Sequence, residues 1–311
     1  MIKTRRFTLW IVTASLCLSI GLAGCSRKQP SPSSMLTIVT TVGMVTDIVR
    51  QVAGDDADVQ GLMGAGVDPH LYKASFRDVE KLDHADVVFY SGLHLEGKMT
   101  DVLEKMARRK PVVAVALAIP ESLLHRQSGI AGAYDPHVWM DPARWKHILD
   151  PIVRELSRAM PSHSSVFEAR ADSLRAQFDS LATWARAGIS SIPSQQRVLI
   201  TAHDAFGYFG EAFDIEVEGL QGISTATDFG LADVTNLVDL ITSRSIKAVF
   251  VESSVPRKPL EAVLAGCRDK GHAVTIGGEL FSDAMGEAGT DKGTYFGMIR
   301  HNVTTIVSAL R

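Results

Sequence analysis

The tripeptide Asp-Pro-His occurs twice, as Asp68-Pro69-His70 and Asp135-Pro136-His137, in otherwise dissimilar surroundings. Proline fixes its own φ and holds the preceding residue extended, so each histidine leaves a stiff turn. Two further residues have the chemistry to join them. His203 ends the apolar run VLITA within TAHDAF, and Asp283 lies in ELFSDAMG. Three imidazoles and a carboxylate are a donor set for zinc or a similar first-row divalent ion. The four are scattered along the chain, unlike a compact HExxH or CxxC motif, so spacing leaves a second reading open: three loop histidines with unrelated roles. Asp68, Asp135, Asp204 and Glu252 stand near the candidates and could orient imidazole N–H groups. Asp68 and Asp135 could equally serve only as turn-formers before proline. The other seven histidines have plainer explanations. His84 and His147 fall in helical stretches, His163 near a helix start and His272 before a strand, while His94, His125 and His301 have no acidic or proline framework.

The elements that would position these residues alternate. LTIVTT (36–41), VQGLM (59–63), VVFYS (87–91) and VVAVA (112–116) read as buried strands, with helical spacing in MVTDIVRQVAG and FRDVEKLDHA between them. VLITA (198–202), IEVEGL (215–220), AVFVES (248–253) and AVTIGG (273–278) repeat the scheme, and HADVVFY is echoed by SIKAVFVE. The expected fold is α/β, with two similar lobes built on mainly parallel sheets. Ligands of open α/β sheets bind where strands end at their carboxyl edge, so two donors from each lobe would face across a cleft. Between the lobes, Phe167, Ala171, Leu174, Phe178 and Leu181 mark one apolar helix face, with Pro161 and Ser162 as a start and Pro193 as a stop. The spacing predicts one long rigid connector of about 40 Å. Expected boundaries are 36–161 for the first lobe, 162–192 for the connector and 193–311 for the second lobe.

The N-terminus bounds the compartment. Lys3, Arg5 and Arg6 precede the apolar run Phe7–Leu22, which closes on Leu22-Ala23-Gly24-Cys25. The run is short and ends in small residues, which reads as a secretory signal over 1–24 rather than a membrane span. Its ending resembles the bacterial lipobox, which implies lipidation at Cys25 and an extracytoplasmic, lipid-anchored protein. SRKQPSPSS then reads as a disordered tether, within 25–35. Of the three cysteines only Cys267 would remain in the folded body, which excludes an internal disulfide and a cysteine-based zinc site. Losing three signal-segment cations makes the formal charge of −3 more negative, which argues against nucleic acid as a partner. The folded body is expected to be a monomer.

GLMGAGVDPHLYKAS with FRDVEKLDHADVVFYSGLHLEGKM, then YDPHVWMDP, TAHDAFGYF, EGLQGISTATDFGLADV and DAMG...GTYFGMIRHN, resemble in order the TroA-like branch of bacterial ABC-transporter substrate-binding proteins. The resemblance covers essentially the whole chain after the signal. It implies two α/β lobes joined by one long helix, and capture of a transition-metal ion for delivery to an ABC permease with its cytoplasmic ATPase. It also implies His70, His137, His203 and Asp283 as the metal ligands. The third ligand is histidine or glutamate among members, and histidine suits zinc better than manganese. The segment HRQSGIAGAYDPH lacks the long His-rich acidic loop of many zinc-specific members. Zn2+ is therefore expected first, with Mn2+ next and Fe2+ as a further option. Proton competition is expected to weaken binding below about pH 6. A rival reading is a zinc hydrolase with an open three-histidine site and Glu252 or Asp204 as base. A fourth ligand at Asp283 would close that site, so an enzyme is not expected. A surface adhesin is the other rival, and the repeats or long apolar patches it would need are not seen in the sequence.

Overall fold

A computed structural model describes residues 35–127, 132–227 and 229–311. The expected signal segment, Cys25 and all but the last residue of the expected tether lie outside the described residues, as do residues 128–131 and 228. From Leu36 onward the chain forms a single compact unit.

In its first half four strands, β1 Leu36–Thr40, β2 Ala57–Gly61, β3 Val87–Tyr90 and β4 Val112–Ala114, form one sheet in the order β2-β1-β3-β4. Every pairing is parallel. Helices α1 Gly43–Ala53, α2 Phe76–His84 and α3 Thr100–Ala107 make the crossovers, and α4 Pro142–Trp145 and α5 Leu149–Ala159 follow. The start of α2 is set by a capping box, in which Ser75 and Asp78 satisfy each other's backbone N–H groups.

The second half repeats this order less completely. β5 Val198–His203 pairs with β6 Glu216–Gln221, and β7 Ala248–Glu252 pairs with β8 Thr275–Leu280, again in parallel. β5 runs beside β7 without a continuous ladder between them, so the order β6-β5-β7-β8 matches that of the first lobe. The expected single sheet is thus two ladder pairs. A register shift at Val249/Phe250, with Gly278 at φ 149°, interrupts the β7–β8 ladder. Helices α6 Ser164–Ser190, α7 Gly207–Phe213, α8 Leu231–Ser243, α9 Lys258–Asp269 and α10 Tyr295–Leu310 complete the chain.

Why the strands read as unbroken apolar runs is clear from their two faces. Leu199, Ala248 and Phe250 belong to a large core that continues through α6 and α10 into the first lobe. Val198, Ile200, Ala202, Val249 and Val251 belong to a second core under α8 and α9. Both faces of the sheet are covered, so alternation in direction does not become alternation in polarity. α6 is the 27-residue connector, two residues shorter at each end than expected. Its buried stripe runs Phe167, Ala171, Leu174, Phe178, Leu181, Ala185 and Ile189. Phe178 is fully buried, with its ring 5.2 Å from that of Tyr295 and 5.1 Å from that of Phe296 on α10. Replacing Phe178 by alanine is expected to cost about 3–5 kcal/mol, the range for a fully buried aromatic. Urea unfolding of the metal-free protein measures this. A loss under about 1 kcal/mol would mean that the connector is not clamped by this packing.

Candidate metal centre

The two Asp-Pro-His turns share one backbone device. The Oδ1 of Asp68 accepts from the His70 amide at 2.9 Å, and the Oδ1 of Asp135 accepts from the His137 amide at 2.9 Å. Each aspartate thus closes an Asx turn across its proline. Beyond that the two part company. Asp135 Oδ1 also lies 2.7 Å from His137 Nδ1, so it fixes the ring as well as the turn. Asp68 instead turns its Oδ2 to the Thr225 hydroxyl, 2.6 Å away on the second lobe.

His203 is the last residue of β5 and is held in the same way as His137. Its amide donates to Glu252 Oε1 at 2.9 Å, and its Nδ1 lies 2.6 Å from Glu252 Oε2, though not in hydrogen-bonding alignment. Gly219 on the neighbouring β6 permits this strand its position, because a Cβ there would stand 2.5 Å from the Asp204 nitrogen and 2.7 Å from the His203 carbonyl carbon. Asp283 follows β8. Asn302 on α10 grips both backbone groups of Phe281, accepting from its N–H at 2.9 Å and donating to its C=O at 2.7 Å.

With Nδ1 of His137 and His203 turned to carboxylates, their Nε2 atoms face one point. Asp283 Oδ1 lies 3.3 Å from His137 Nε2, and its Oδ2 lies 3.3 Å from His203 Nε2 and 3.5 Å from His70 Nε2. His70 and His137 approach Nε2 to Nε2 at 3.3 Å. Among the described residues this is the one group of histidine, cysteine and acidic side chains that converges, with all four donor atoms within 4.8 Å of one another. The edge of a tetrahedron around zinc, with bonds of about 2.0–2.1 Å, is about 3.3–3.4 Å. The four short separations between these donors are close to the edge of such a tetrahedron. Both Asp283 oxygens and His203 Nε2 are buried without a hydrogen bond. A buried carboxylate in that state costs several kcal/mol unless a cation opposes it. Facing both oxygens inward, Asp283 can also bind through two of them.

Protons compete for the same lone pairs. Burial lowers the His137 pKa, but Asp135 and Asp283 outweigh burial and raise it to about 9. His203 is likewise held well above its usual value, as Glu252 and Asp283 overcome burial. His70, next to one carboxylate but buried among other imidazoles, is pushed down to about 4, mainly by desolvation. Burial would raise Asp283, yet His203 and His137 hold it well below the carboxylate range. Two of the imidazoles are thus pushed to hold their protons above the expected pH 6, and the third to release its proton below it.

The structure brings together the four expected ligands, which are all buried. Of the four expected supporting acids, Asp135 and Glu252 reach ligand imidazoles. Asp68 reaches only the His70 backbone and the second lobe, and Asp204 makes no side-chain hydrogen bond among the described residues, so both are corrected as ring partners. Among the remaining histidines, His84, His272 and His301 bond to backbone carbonyls. Trp139 escaped the sequence reading. Its Nε1 donates to Ser282 O at 2.9 Å, which ties the residue two beyond His137 to the residue before Asp283. Its place in YDPHVWMDP, two residues after a ligand, was the only available signal.

The model of the family "zinc-uptake complex component A, periplasmic" matches residues 38–309. Manganese-binding lipoprotein MntA of Bacillus subtilis (strain 168) is 48% identical over 303 residues, covering 97% of this chain and 99% of MntA. Zinc-binding protein TroA of Treponema pallidum (strain Nichols) is 46% identical over 283 residues, 91% of each chain. The solved structure of the periplasmic zinc-binding protein TroA from Treponema pallidum superposes with a TM-score of 0.86, covering 89% of this chain and 99% of that one.

The sign of the pH dependence follows from the raised histidines. Protonated His137 stabilises the metal-free fold fully below its ordinary pKa of 6.5, and that contribution is lost as pH rises through about 9. Metal-free protein should lose stability across that window. Metal-loaded protein should gain relative to it, because fewer protons must be displaced. Urea midpoints with chelator and with zinc across the window check this, and two parallel profiles would contradict it.

Proposed function

The chain belongs to the family of the zinc-uptake complex component A, and from that membership we propose that it captures a divalent transition-metal ion outside the cytoplasm and hands it to an ABC permease for import. The observation that carries this reading is the buried, unpaired Asp283 carboxylate facing three imidazole Nε2 atoms drawn from both lobes. The ion is cargo rather than catalyst. His70, His137, His203 and Asp283 hold it, and Asp135 and Glu252 orient two of the rings. A fourth protein donor occupies the position that a hydrolase keeps for water, which favours a carrier over an enzyme.

Zinc is the first candidate and manganese the second. Three imidazole nitrogens facing one carboxylate suit zinc, whereas the second Asp283 oxygen supplies the harder, higher-coordinate environment that manganese accepts. The two relatives at nearly equal identity, one named for manganese and one for zinc, do not choose between them. We further assign 36–161 and 193–311 as the lobes, 162–192 as the connector, 1–24 as a cleaved signal and Cys25 as the lipid anchor, with 25–35 as its tether. No helix among the described residues is long and apolar enough to cross a membrane. We take the anchor to be the lipid, the partner a permease with its ATPase, and the folded body a monomer.

Elemental analysis of the body Met35–Arg311, purified without a metal-binding tag, tests this together with zinc and manganese titration of the stripped protein. One tightly held equivalent is expected. His203→Ala should weaken binding by more than about 100-fold, the upper range for loss of a merely supporting partner. Absence of stoichiometric metal under every titration would overturn the proposal. Manganese binding that matches zinc would move the cargo to a broad-range reading.

A further inference from the structure

α7 begins four residues after His203 and meets first-lobe residues through Tyr208 and Glu211. The Tyr208 side chain is fully buried. One face of its ring stacks on His125, at 4.0 Å and 8°, and the Arg144 guanidinium lies 5.2 Å from the ring centre. The hydroxyl accepts from the His125 N–H at 2.9 Å and donates to the Asp135 carbonyl at 3.0 Å. One turn on, Glu211 meets the same two first-lobe residues, contacting His125 Nε2 and accepting from Arg144 at 2.7 Å. Gly207 lets the helix start lie against Asp135, since a Cβ there would be 3.2 Å from Asp135 Oδ2.

Tyr208 bonds the backbone carbonyl of Asp135, whose carboxylate fixes both the backbone and the ring of His137, and Glu211 braces His125 and Arg144 beside it. We infer that Tyr208 and Glu211 form a clasp between the lobes and act as positioning residues for the metal ligands. The inference rests on the metal-carrier reading and deepens it. The clasp holds Asp135 in place, and through it His137, only while the segment bearing His203 is docked. Ligands from the two lobes are therefore released together rather than one by one. Glu211 and His125 are partly exposed, and ion pairs of that kind are individually weak. The buried Tyr208 hydroxyl carries most of the effect, because its removal strands a partly buried N–H and a buried C=O.

The test uses the metal-stripped chain reloaded with zinc or with cobalt(II). Tyr208→Phe keeps the stacked ring and removes the hydroxyl. Zinc loss into excess chelator should speed up by about tenfold, the effect of one net hydrogen bond at the upper end of its range. The cobalt(II) visible spectrum should shift, since the ligand field senses the freed His137. Glu211→Gln, on the surface side of the clasp, should move both readouts in the same direction by less. Ile152→Val, in the first-lobe core away from the clasp, should lower stability and leave both unchanged. Wild-type release and an unshifted spectrum in Tyr208→Phe would overturn the inference, as would equal effects from Ile152→Val. Should Tyr208→Phe not fold, Glu211→Gln decides by the same criteria. Wild-type protein that holds neither metal would overturn the carrier reading and the clasp with it.

Discussion

A carboxylate buried with both oxygens free of hydrogen bonds is the constraint from which the rest of this molecule follows. Asp283 is about as far from water as a side chain can be, at 1% exposure. Left alone, it would be protonated or would draw in water. Instead it faces three imidazoles, two of which are themselves backed by carboxylates. Three acids thus surround two imidazoles that can be charged, and the excess of negative charge is resolved by protons or by one divalent cation. The elements around the site keep the four donor atoms within 4.8 Å of one another in the absence of any covalent link.

That task falls on contacts that cross between the lobes. Trp139 to Ser282, Asp68 to Thr225 and Tyr208 to Asp135 each join the two halves beside a ligand or its support. Tyr295 on α10 adds its hydroxyl to the Trp139 carbonyl at 2.7 Å, and its amide donates to Asp47 of α1 at 2.8 Å. The connector α6 packs with α10 as part of the large core, so the lobes share one apolar interior instead of meeting across a solvated hinge. Wide hinge opening would expose that interior at about 25 cal/mol for each Å2. Local movement of the ligand-bearing turns costs far less, which makes loop-scale release the cheaper route for cargo.

The candidate donor set carries opposed preferences for zinc and for manganese. Imidazole nitrogens favour zinc over manganese, and an added carboxylate oxygen reduces that preference. Both tendencies are built into the same four residues. Selectivity then depends on how rigidly the donor spacing is enforced. That rigidity is a property of the supporting groups Asp135, Glu252 and Asn302 as much as of the ligands.

Much was legible in the sequence because local physics wrote it there. The strands showed as apolar runs, and α6 showed as a stripe at spacings of four and three. Asp-Pro-His announced stiff turns, and those turns do form with the same amide-to-carboxylate bond in both copies. The four candidate donors stood out by their position after strands and by the family resemblance, and the fold gathers them at one point. What spacing could not decide was which acid serves which ring. Asp68 and Asp135 open the same tripeptide, yet only Asp135 reaches its imidazole, because Thr225 of the other lobe captures Asp68. Asp204 adjoins a ligand and supports none, whereas Glu252, far away in the chain, holds His203. His125 looked uninformative because its partners, Tyr208 and Glu211, lie more than 80 residues away. Sequence determines the turns, the periodicities and the donor types, which depend on neighbours in the chain. Hydrogen-bond pairing between segments and the lifted histidine pKa values depend on distances that only the packed fold creates.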